Sequence, residues 1–321
     1  MELGVFSVFV GASVLVFLGG VEVGFSQSEA YARNYISWAD LKVDEPKVGL
    51  NSRNEFVNGS RVIVVDKNGG GDSLTVQGAV DMVPEQNTDR VKIYILPGIY
   101  REKVLVPISK PYISFIGNQN QTSDTVITWN NKASDKDVTG YELGTYRTAS
   151  VAIEADYFCA TGITFENSVV AVPGGYGMQA VALRVAGDKA MFYRVKVLGT
   201  QDTLLDETGS HYFYRSHIQG SVDFIFGRSK SLYQYLIGKS LGSFQSSVSY
   251  CHFDDIITPS GWSDWNHPER QKTVEFGEYH CRGRGAAERR GRVPWLKSFS
   301  FEEIRPFLDT KFIYGEQWLR L

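Results

Sequence analysis

Two aspartates at a fixed spacing are the residues of this sequence best suited to chemistry. The segment Phe192–Asp202 matches the segment Phe213–Asp223, with Phe, Tyr, Arg, Gly and Asp recurring at an offset of 21 residues. Two copies of this length, rich in strand-forming residues, predict a solenoid in which each copy forms one coil of a parallel β-helix. A leucine-rich repeat would need a ladder of Leu and Asn, which is absent, and a chance match is the remaining alternative.

Such a solenoid would bring the two carboxyl groups together. Equivalent residues of successive coils stack at the strand spacing of about 4.8 Å, so Asp202 would lie beside Asp223. Two carboxyl groups this close do not ionise independently, because the charge of one raises the pKa of the other. One can hold a proton and act as an acid while the other serves as a nucleophile. The alternative is a pair of turn residues that cap bends of the coil.

Other catalytic and cofactor-binding patterns are weak. The sequence has no Gly-x-Ser-x-Gly elbow of a serine hydrolase, and Gly238–Ser240 lacks the first glycine of a phosphate loop because Tyr233 takes its place. The five histidines and the three cysteines show no metal-ligand spacing. A net charge of −3 gives no basis for nucleic-acid binding, and the arginines between 282 and 292 are more typical of a solvated loop than of a site for an acidic polymer. We therefore expect no metal and no cofactor.

The elements that would position the two aspartates are short strands. Apolar runs bounded by Gly, Pro, Asn or Asp recur from Arg61 onward, as strands do. The clearest are Val62–Val65, Val91–Ile95, Tyr112–Ile116 and Val151–Ile153. Apolar residues over Ser73–Val83 lie on roughly one helical face and predict a single short helix near the N-terminus. The expected fold is all-β, a right-handed parallel β-helix over roughly residues 61–280, with the C-terminal segment packed against it.

The beginning of the chain differs from the rest. Val5–Leu18 is apolar or small and carries no charge, and small residues precede position 27 as they do at a cleavage site. This pattern predicts a signal peptide over residues 1–26. Residues 27–60 are polar and suggest an N-terminal arm, and residues 61–321 are expected to form one domain.

A signal peptide implies a secreted, extracellular protein. Secretion agrees with two acceptor sequons for N-glycosylation, at Asn58 and Asn120. The cysteines are Cys159, Cys251 and Cys281, an odd number that leaves at least one thiol unpaired or indicates a missing partner.

Several segments together resemble plant pectinesterases, also called pectin methylesterases. The matching motifs run from about Val62 to the C-terminus and keep the order of the family. They are Gly98–Glu102, Gln179–Arg184, Gly199–Leu204, Asp223–Gly227, Pro259–Trp262 and Phe276–Cys281. The chain has no room for the inhibitor-like N-terminal domain that many members carry, so it resembles the single-domain subgroup.

The resemblance implies a role for each residue of the candidate site. Asp223 would be the nucleophile that attacks the methyl-ester carbonyl of a galacturonate unit. Asp202 would protonate the departing methanol and later activate the hydrolytic water. Gln179 and Gln201 would donate hydrogen bonds to the oxyanion.

The resemblance also implies the binding partners. Phe226 and Trp262 would line the sugar-binding cleft. The substrate would be pectin, in its methyl-esterified homogalacturonan form, and a proteinaceous pectinesterase inhibitor is a further candidate partner. We expect a monomer in the cell wall that binds neither nucleic acid nor membrane.

One motif departs from the family pattern. The family carries Leu-Gly-Arg-x-Trp-Gly, and the closest match here is Ile237–Gly242, with Lys239 in place of the arginine and Leu241 in place of the tryptophan. Lys239 would then contact the substrate side of the site, but a lysine cannot hold a carboxylate through two parallel hydrogen bonds. The motif follows Asp223 by only 16 residues, where the family has several tens more. We therefore expect roughly two coils to be missing around residues 233–237.

Three functions follow as candidates. The first is an esterase acting on pectin. The second is a catalytically impaired, pectin-binding form, which the substitution at Lys239 and the missing segment favour. The third is another polysaccharide enzyme on the same fold, because retaining glycosidases also use two carboxylates about 5–5.5 Å apart. The two glutamines and the matching motifs favour the esterase.

Overall fold

The computed structural model describes residues 34–43, 56–57, 60–172, 174–235, 237–239, 248–249, 252–253, 259–262, 264, 268–272, 277–287 and 289–321. The predicted signal peptide, the sequon at Asn58 and Cys251 lie outside these ranges. Within them the chain winds into a right-handed parallel β-helix, as the repeat predicts.

Each coil from Val91 to Gly227 contributes one strand to each of three sheets, in the order sheet 1, sheet 2, sheet 3. Among the described residues, sheet 1 consists of Phe56–Val57, Ser60–Val65, Val91–Ile95, Ile113–Ile116, Cys159–Thr161, Ala190–Tyr193, Ser210–Tyr214 and Lys230–Gln234. In the same part of the chain, sheet 2 consists of Gly98–Arg101, Thr125–Trp129, Thr164–Asn167, Lys196–Leu198, His217–Gln219, Ile237–Lys239 and His252–Phe253. The described strands of sheet 3 are Val104–Val106, Val151–Ile153, Leu183–Val185, Leu204–Asp206 and Ile225–Gly227. Neighbouring strands are parallel except for Phe56–Val57, which pairs antiparallel with Ser60–Val65.

The strand register confirms the repeat of 21 residues. Phe192 pairs with Phe213 in sheet 1, and Leu204 pairs with Ile225 in sheet 3. The rings of Phe192 and Phe213 stack with centroids 4.6 Å apart and planes inclined by 8°. Because each coil turns the same positions inward, apolar side chains stack along the axis and form one continuous core.

The predicted N-terminal helix is present but shorter, covering Val76–Asp81. Thr75 caps it, since the Thr75 hydroxyl accepts a hydrogen bond from the N–H of Gly78 at 3.0 Å. Ala79 and Val80 are fully buried in the main core. The helix therefore packs its apolar face onto the first coils, as its periodicity predicts.

Several short helices are not predicted by the sequence pattern. The α-helices are Arg284–Ala287, Phe301–Ile304 and Gly315–Trp318. The 3₁₀ helices are Trp38–Leu41, Thr145–Thr148, Pro268–Lys272, Arg289–Gly291, Arg305–Phe307 and Thr310–Ile313. The expectation of a single helix was wrong because each of these spans about one turn, which is too short to show a helical period.

Both ends of the described chain pack on the outer side of sheet 1. Ile36–Ser37 pairs in parallel with Leu319–Arg320, which forms a small additional sheet. Ile36, Leu41 and Trp318 are buried and belong to a second apolar cluster that includes sheet 1 side chains such as Met191. The C-terminal segment thus covers the β-helix as expected, and part of the N-terminal arm is anchored beside it.

The coil that contains Tyr233 keeps its register with the coil before it. Lys230–Gln234 pairs with Ser210–Tyr214, and Ile237–Lys239 pairs with His217–Gln219. Among the described residues, sheets 1 and 2 therefore extend beyond the last strand of sheet 3, which is Ile225–Gly227. The segment expected to be missing leaves no break in sheets 1 and 2 at this coil.

Candidate active site

Asp202 and Asp223 lie on adjacent coils. Each lies two residues before the first residue of a strand of sheet 3, and these strands, Leu204–Asp206 and Ile225–Gly227, pair directly. The backbone N–H of Asp202 donates to the carbonyl oxygen of Val222 at 3.0 Å. The corner that carries one aspartate therefore stacks on the corner that carries the other, which confirms the pairing that the repeat predicts.

Both aspartates adopt a left-handed backbone. The φ angles of Asp202 and Asp223 are 60° and 50°, a region that Asp tolerates better than most residues. Arg194 and Arg215, which follow the strands of sheet 1, have similar φ angles of 49° and 51°. Since the same conformation recurs at a different corner, it belongs to the geometry of the coil and does not by itself mark a catalytic group.

The carboxyl group of Asp202 is suited to hold a proton near neutral pH. Asp202 is only 7% exposed, and burial together with the negative charge of Asp223 raises its pKa to about 7. The hydroxyl of Thr145 opposes this rise by favouring the ionised carboxylate. Oδ1 of Asp202 has no hydrogen-bond partner within the described part of the chain. A buried carboxyl group with a raised pKa is what a general acid requires.

Gln179 and Gln201 come to the same corner from neighbouring coils. The N–H of Ala180 donates to the carbonyl oxygen of Gln201 at 3.0 Å, and the N–H of Ala133 donates to that of Gln179 at 2.8 Å. Both glutamines are half-buried. The backbone thus places both residues near Asp202, and the role of their side-chain amides as oxyanion donors stays a prediction.

Phe226 lies on the outer face of sheet 3, beside the corner that carries Asp223. It pairs with Leu205 in the register, and its half-buried ring packs on a small apolar cluster that is separate from the main core. The buried members of this cluster are Ala149, Ala152, Val181 and Leu205. A partly exposed aromatic ring on an apolar floor suits contact with a sugar ring, and this role of Phe226 also stays a prediction.

The other two residues predicted to bind substrate are placed differently. Trp262 is 3% exposed and packs within the main core, so its burial gives no support to a role in lining the cleft. The backbone of Lys239 pairs with that of Gln219, which precedes Asp223 by four residues. Lys239 is therefore one coil away from the segment that carries Asp223, and contact with substrate stays a prediction for both residues.

A buried arginine on the outer face of sheet 3, the last residue of the motif Gln179–Arg184, has no role in the sequence-based prediction. Arg184 is 4% exposed and forms ion pairs with Glu154 at 2.6 Å and Glu207 at 3.1 Å. Its guanidinium carbon lies 4.0 Å from the ring centroid of Tyr146, and Nη1 donates to the hydroxyl of Tyr146. Two carboxylates thus neutralise Arg184 while it holds Tyr146 at the rim of this face. The available signal was a charged residue between two apolar ones, Leu183 and Val185, within that motif.

Asp206, a further buried carboxylate, is engaged in structural contacts. Nδ1 of His211 lies 2.5 Å from its Oδ1, and the hydroxyl of Tyr233 donates to its Oδ2. Burial acts to lower the pKa of His211, but the Asp206 carboxylate outweighs burial and raises that pKa overall. Since His211 is fully buried and its other ring nitrogen contacts the carbonyl oxygen of Gly187 at 2.8 Å, this cluster stabilises the coil.

Other kinds of site are not visible in the described part of the chain. No group of three or more His, Cys, Asp or Glu side chains there could hold a metal ion. None of the described helices is long and apolar enough to cross a membrane. Cys159 and Cys281 do not form a disulfide with each other.

The geometry therefore combines a carboxyl group that can hold a proton with a second carboxylate on the next coil. This pair can perform nucleophilic attack by one carboxylate with proton transfer by the other. By its geometry alone, the pair is compatible with hydrolysis of an ester or of a glycosidic bond.

Comparison with known proteins narrows this choice. The pectinesterase family profile matches residues 62–240 and again residues 234–316. The chain is 56% identical to pectinesterase QRT1 of Arabidopsis thaliana over 346 aligned positions, which take in 90% of this chain and 91% of that protein. The structure of the pectin methylesterase from carrot superposes with a TM-score of 0.67 at 29% identity, covering 80% of this chain and 94% of that one. A pectin methylesterase in complex with a hexasaccharide superposes with a TM-score of 0.64 at 20% identity, covering 78% of this chain and 96% of that one. This likeness supports the fold.

The same alignments bear on the expected missing segment. The 346 positions aligned with the Arabidopsis protein exceed the 321 residues of the whole chain, so that relative has residues without a counterpart here. The two stretches matched by the family profile meet at residues 234–240, next to the expected junction. The profile match spans most of the sequence and one relative is 56% identical, so the chain belongs to the pectinesterase family.

Proposed function

We propose that the protein hydrolyses the methyl esters of homogalacturonan in pectin and releases methanol. The observation that carries the proposal is the pairing of Asp202 with Asp223 on adjacent coils, with the pKa of Asp202 raised to about 7 by burial and by the charge of Asp223. Membership of the pectinesterase family supports a methyl ester as the bond that is broken. The protein is thus a carboxylic ester hydrolase.

In the first step Asp223 acts as the nucleophile. Its carboxylate attacks the carbonyl carbon of the methyl ester, and the carbonyl oxygen takes up the displaced electron pair. The side-chain amides of Gln179 and Gln201 stabilise this oxyanion by hydrogen bonds. Asp202 gives its proton to the methoxy oxygen as the bond from the carbonyl carbon breaks, so methanol departs and an anhydride links Asp223 to the galacturonate.

In the second step Asp202 acts as a base. Loss of its proton to methanol leaves it ionised, so it can take a proton from a water molecule as that water attacks the anhydride. The bond to Asp223 breaks, the galacturonate leaves as a free acid, and both aspartates return to their starting states. Because the first step needs a protonated Asp202, we expect the rate to fall as the pH rises above about 7, the pKa of that group.

The glycosidase alternative and the esterase predict different products. Purified protein should release methanol from highly methylated pectin, measured by an alcohol-oxidase assay, without an increase in reducing ends. Release of reducing ends without methanol would support cleavage of glycosidic bonds and overturn the proposal. Binding of pectin with neither product would favour the catalytically impaired form.

The expected missing segment leads to a prediction about rate. We expect that inserting the corresponding segment of the Arabidopsis relative at residues 233–237, together with Lys239→Arg, will raise methanol release per folded molecule about a hundredfold. The reason is that a displacement of about 1 Å at a catalytic group can cost about this factor, and a lysine offers a point charge where an arginine can bind through two parallel hydrogen bonds. Lys239→Arg without the insertion is the matched control. Equal rates for the original and restored proteins would show that the segment is dispensable.

The same proposal places the enzyme in the plant cell wall. A secreted, glycosylated monomer agrees with the predicted signal peptide and with the exposed sequon residue Asn120. Pectin is the substrate in this proposal, and a proteinaceous pectinesterase inhibitor is a further partner to be tested by co-purification.

A further inference from the structure

Arg184 is a buried charge among apolar neighbours on the outer face of sheet 3. In the register it lies between Ala152 and Leu205, which both belong to the small apolar cluster of that face. Its guanidinium stays charged at every relevant pH, although the residue is only 4% exposed. Replacing a buried ion pair by apolar residues of similar volume is often neutral or stabilising, so stability alone does not account for this arginine.

Arg184 joins three other side chains into one cluster. The arginine clamp, as we call it, consists of Arg184, Glu154, Glu207 and Tyr146. The glutamates come from the coils before and after that of Arg184, and each pairs with a different terminal nitrogen, which fixes the plane of the guanidinium. The guanidinium carbon lies 4.0 Å from the centroid of the Tyr146 ring, and Nη1 also donates to the Tyr146 hydroxyl. Since Tyr146 is 48% exposed, these two contacts, more than burial, fix the position of its ring.

Tyr146 belongs to the 3₁₀ helix Thr145–Thr148, which borders the corner that carries Asp202. The C-terminal end of this helix is fixed without the clamp, because the N–H of Val181 donates to the buried hydroxyl of Thr148 at 2.9 Å. At the other end Gly144 precedes the helix and has no side chain with which to cap it. The clamp, which holds the residue next to Thr145, therefore anchors the N-terminal end of the helix.

The N-terminal end of the helix matters because Thr145 acts on the catalytic carboxyl group. Its hydroxyl favours the ionised form of Asp202, against burial and the negative charge of Asp223, which favour the protonated form. A hydroxyl has this effect only while it stays within hydrogen-bonding reach of the carboxylate. The position of the helix therefore affects the proton affinity of Asp202.

Other charged groups beside the helix are engaged with partners of their own. Arg147 pairs with Asp137 at 2.7 Å, and Nζ of Lys103 donates to the carbonyl oxygen of Arg147 at 2.7 Å. The arginine clamp itself contains two carboxylates and one guanidinium, so a test of its role has to keep that net charge constant.

We infer that Arg184 is a positioning residue of the esterase: through Tyr146 it holds the hydroxyl of Thr145 at the carboxyl group of Asp202. The inference rests on the proposed function of the aspartate pair. Arg184 acts here through two other residues and not by contact with the ester. The clamp thus helps to set the pH at which the catalytic acid loses its proton.

The first test breaks the link at Tyr146 and leaves the ion pairs of Arg184 in place. In Tyr146→Ala the alkaline limb of the pH profile of kcat should move upward by about half a pH unit, because Asp202 loses a hydrogen bond that favours its ionised form. Thr145→Val removes the hydroxyl itself and should move the limb at least as far. Tyr146→Phe keeps the ring under the guanidinium and should move it less. Tyr235→Ala, which removes a tyrosine that is 55% exposed beside sheet 1, is the matched control.

The second test removes the arginine. Arg184→Met/Glu207→Gln keeps the net charge of the clamp and leaves only the more exposed glutamate, Glu154, without its partner. Thermal unfolding checks that the variant folds, and its alkaline limb should move upward as in Tyr146→Ala. Adding Thr145→Val should then give no further shift, because both changes remove the same interaction. Additive shifts, or an unchanged limb in Tyr146→Ala, would overturn the inference.

A titration without turnover separates this inference from the proposed function. In protein labelled with carbon-13 aspartate, the carboxyl resonance of Asp202 can be assigned by its absence from the spectrum of Asp202→Asn. Its titration midpoint should rise in Tyr146→Ala and in Thr145→Val. Normal methanol release with an unchanged midpoint would overturn the inference and leave the esterase standing. A raised midpoint in variants of a protein that releases no methanol would support the link through Tyr146 and count against the esterase.

Discussion

Asp223→Ala is expected to abolish methanol release from pectin, with a loss of about 10⁴-fold or more. The methyl side chain of alanine cannot attack the ester, and Asp202 cannot replace Asp223 as the nucleophile because it has to deliver the proton in the same step. The loss should appear in kcat, because the substitution leaves unchanged the outer face of sheet 3, which would hold the polymer. Initial rates of methanol release at saturating pectin are the measurement.

The control for this experiment is a carboxylate remote from the site. Asp81→Ala removes an exposed carboxylate from the N-terminal helix and should leave the rate unchanged. Circular dichroism and thermal unfolding should show that Asp223→Ala keeps the β-helix, since Asp223 is half-buried at a corner and not part of the apolar core. A folded variant that still releases methanol at a rate near the original would remove Asp223 from the role of nucleophile.

Asp202→Asn is expected to slow methanol release by about 10²–10⁴-fold, because an amide cannot transfer the proton to the leaving methanol or take one from water. The original enzyme should lose rate above about pH 7, because Asp202 ionises there. Burial and the negative charge of Asp223 raise the pKa of Asp202 to about 7. In Asp202→Asn this alkaline dependence should disappear from the residual rate. A pH–rate profile of both proteins is the measurement.

Stability provides an independent readout for the same variant. Because the pKa of Asp202 is higher in the folded state than its ordinary value of 3.8, protonation of Asp202 stabilises the folded protein. This contribution to the free energy of unfolding is complete below about pH 3.8 and is lost as the pH rises to about 7. The asparagine does not titrate, so Asp202→Asn should reduce the loss of stability between about pH 4 and pH 7. An unchanged pH dependence of Tm, or unchanged turnover, would show that Asp202 is not the buried acid.

The architecture and the pairing of the two aspartates follow from a pattern that is visible in the sequence. A repeat of 21 residues relates segments that are close along the chain, and in a solenoid such segments become neighbours in space. The match of Asp202 with Asp223 therefore predicted their adjacency, and the pairing of Phe192 with Phe213 in the structure follows the same repeat.

The environment of these groups depends on contacts between segments that are distant in the sequence. The pKa of Asp202 depends on its burial and on Asp223 and Thr145, and Trp262 proved to be buried in the core although its motif suggested a cleft. The neutralisation of Arg184 by Glu154 and Glu207 joins three coils. Burial and charge at one atom are set by every segment that packs around it, and these segments share no period along the chain from which their contacts could be predicted.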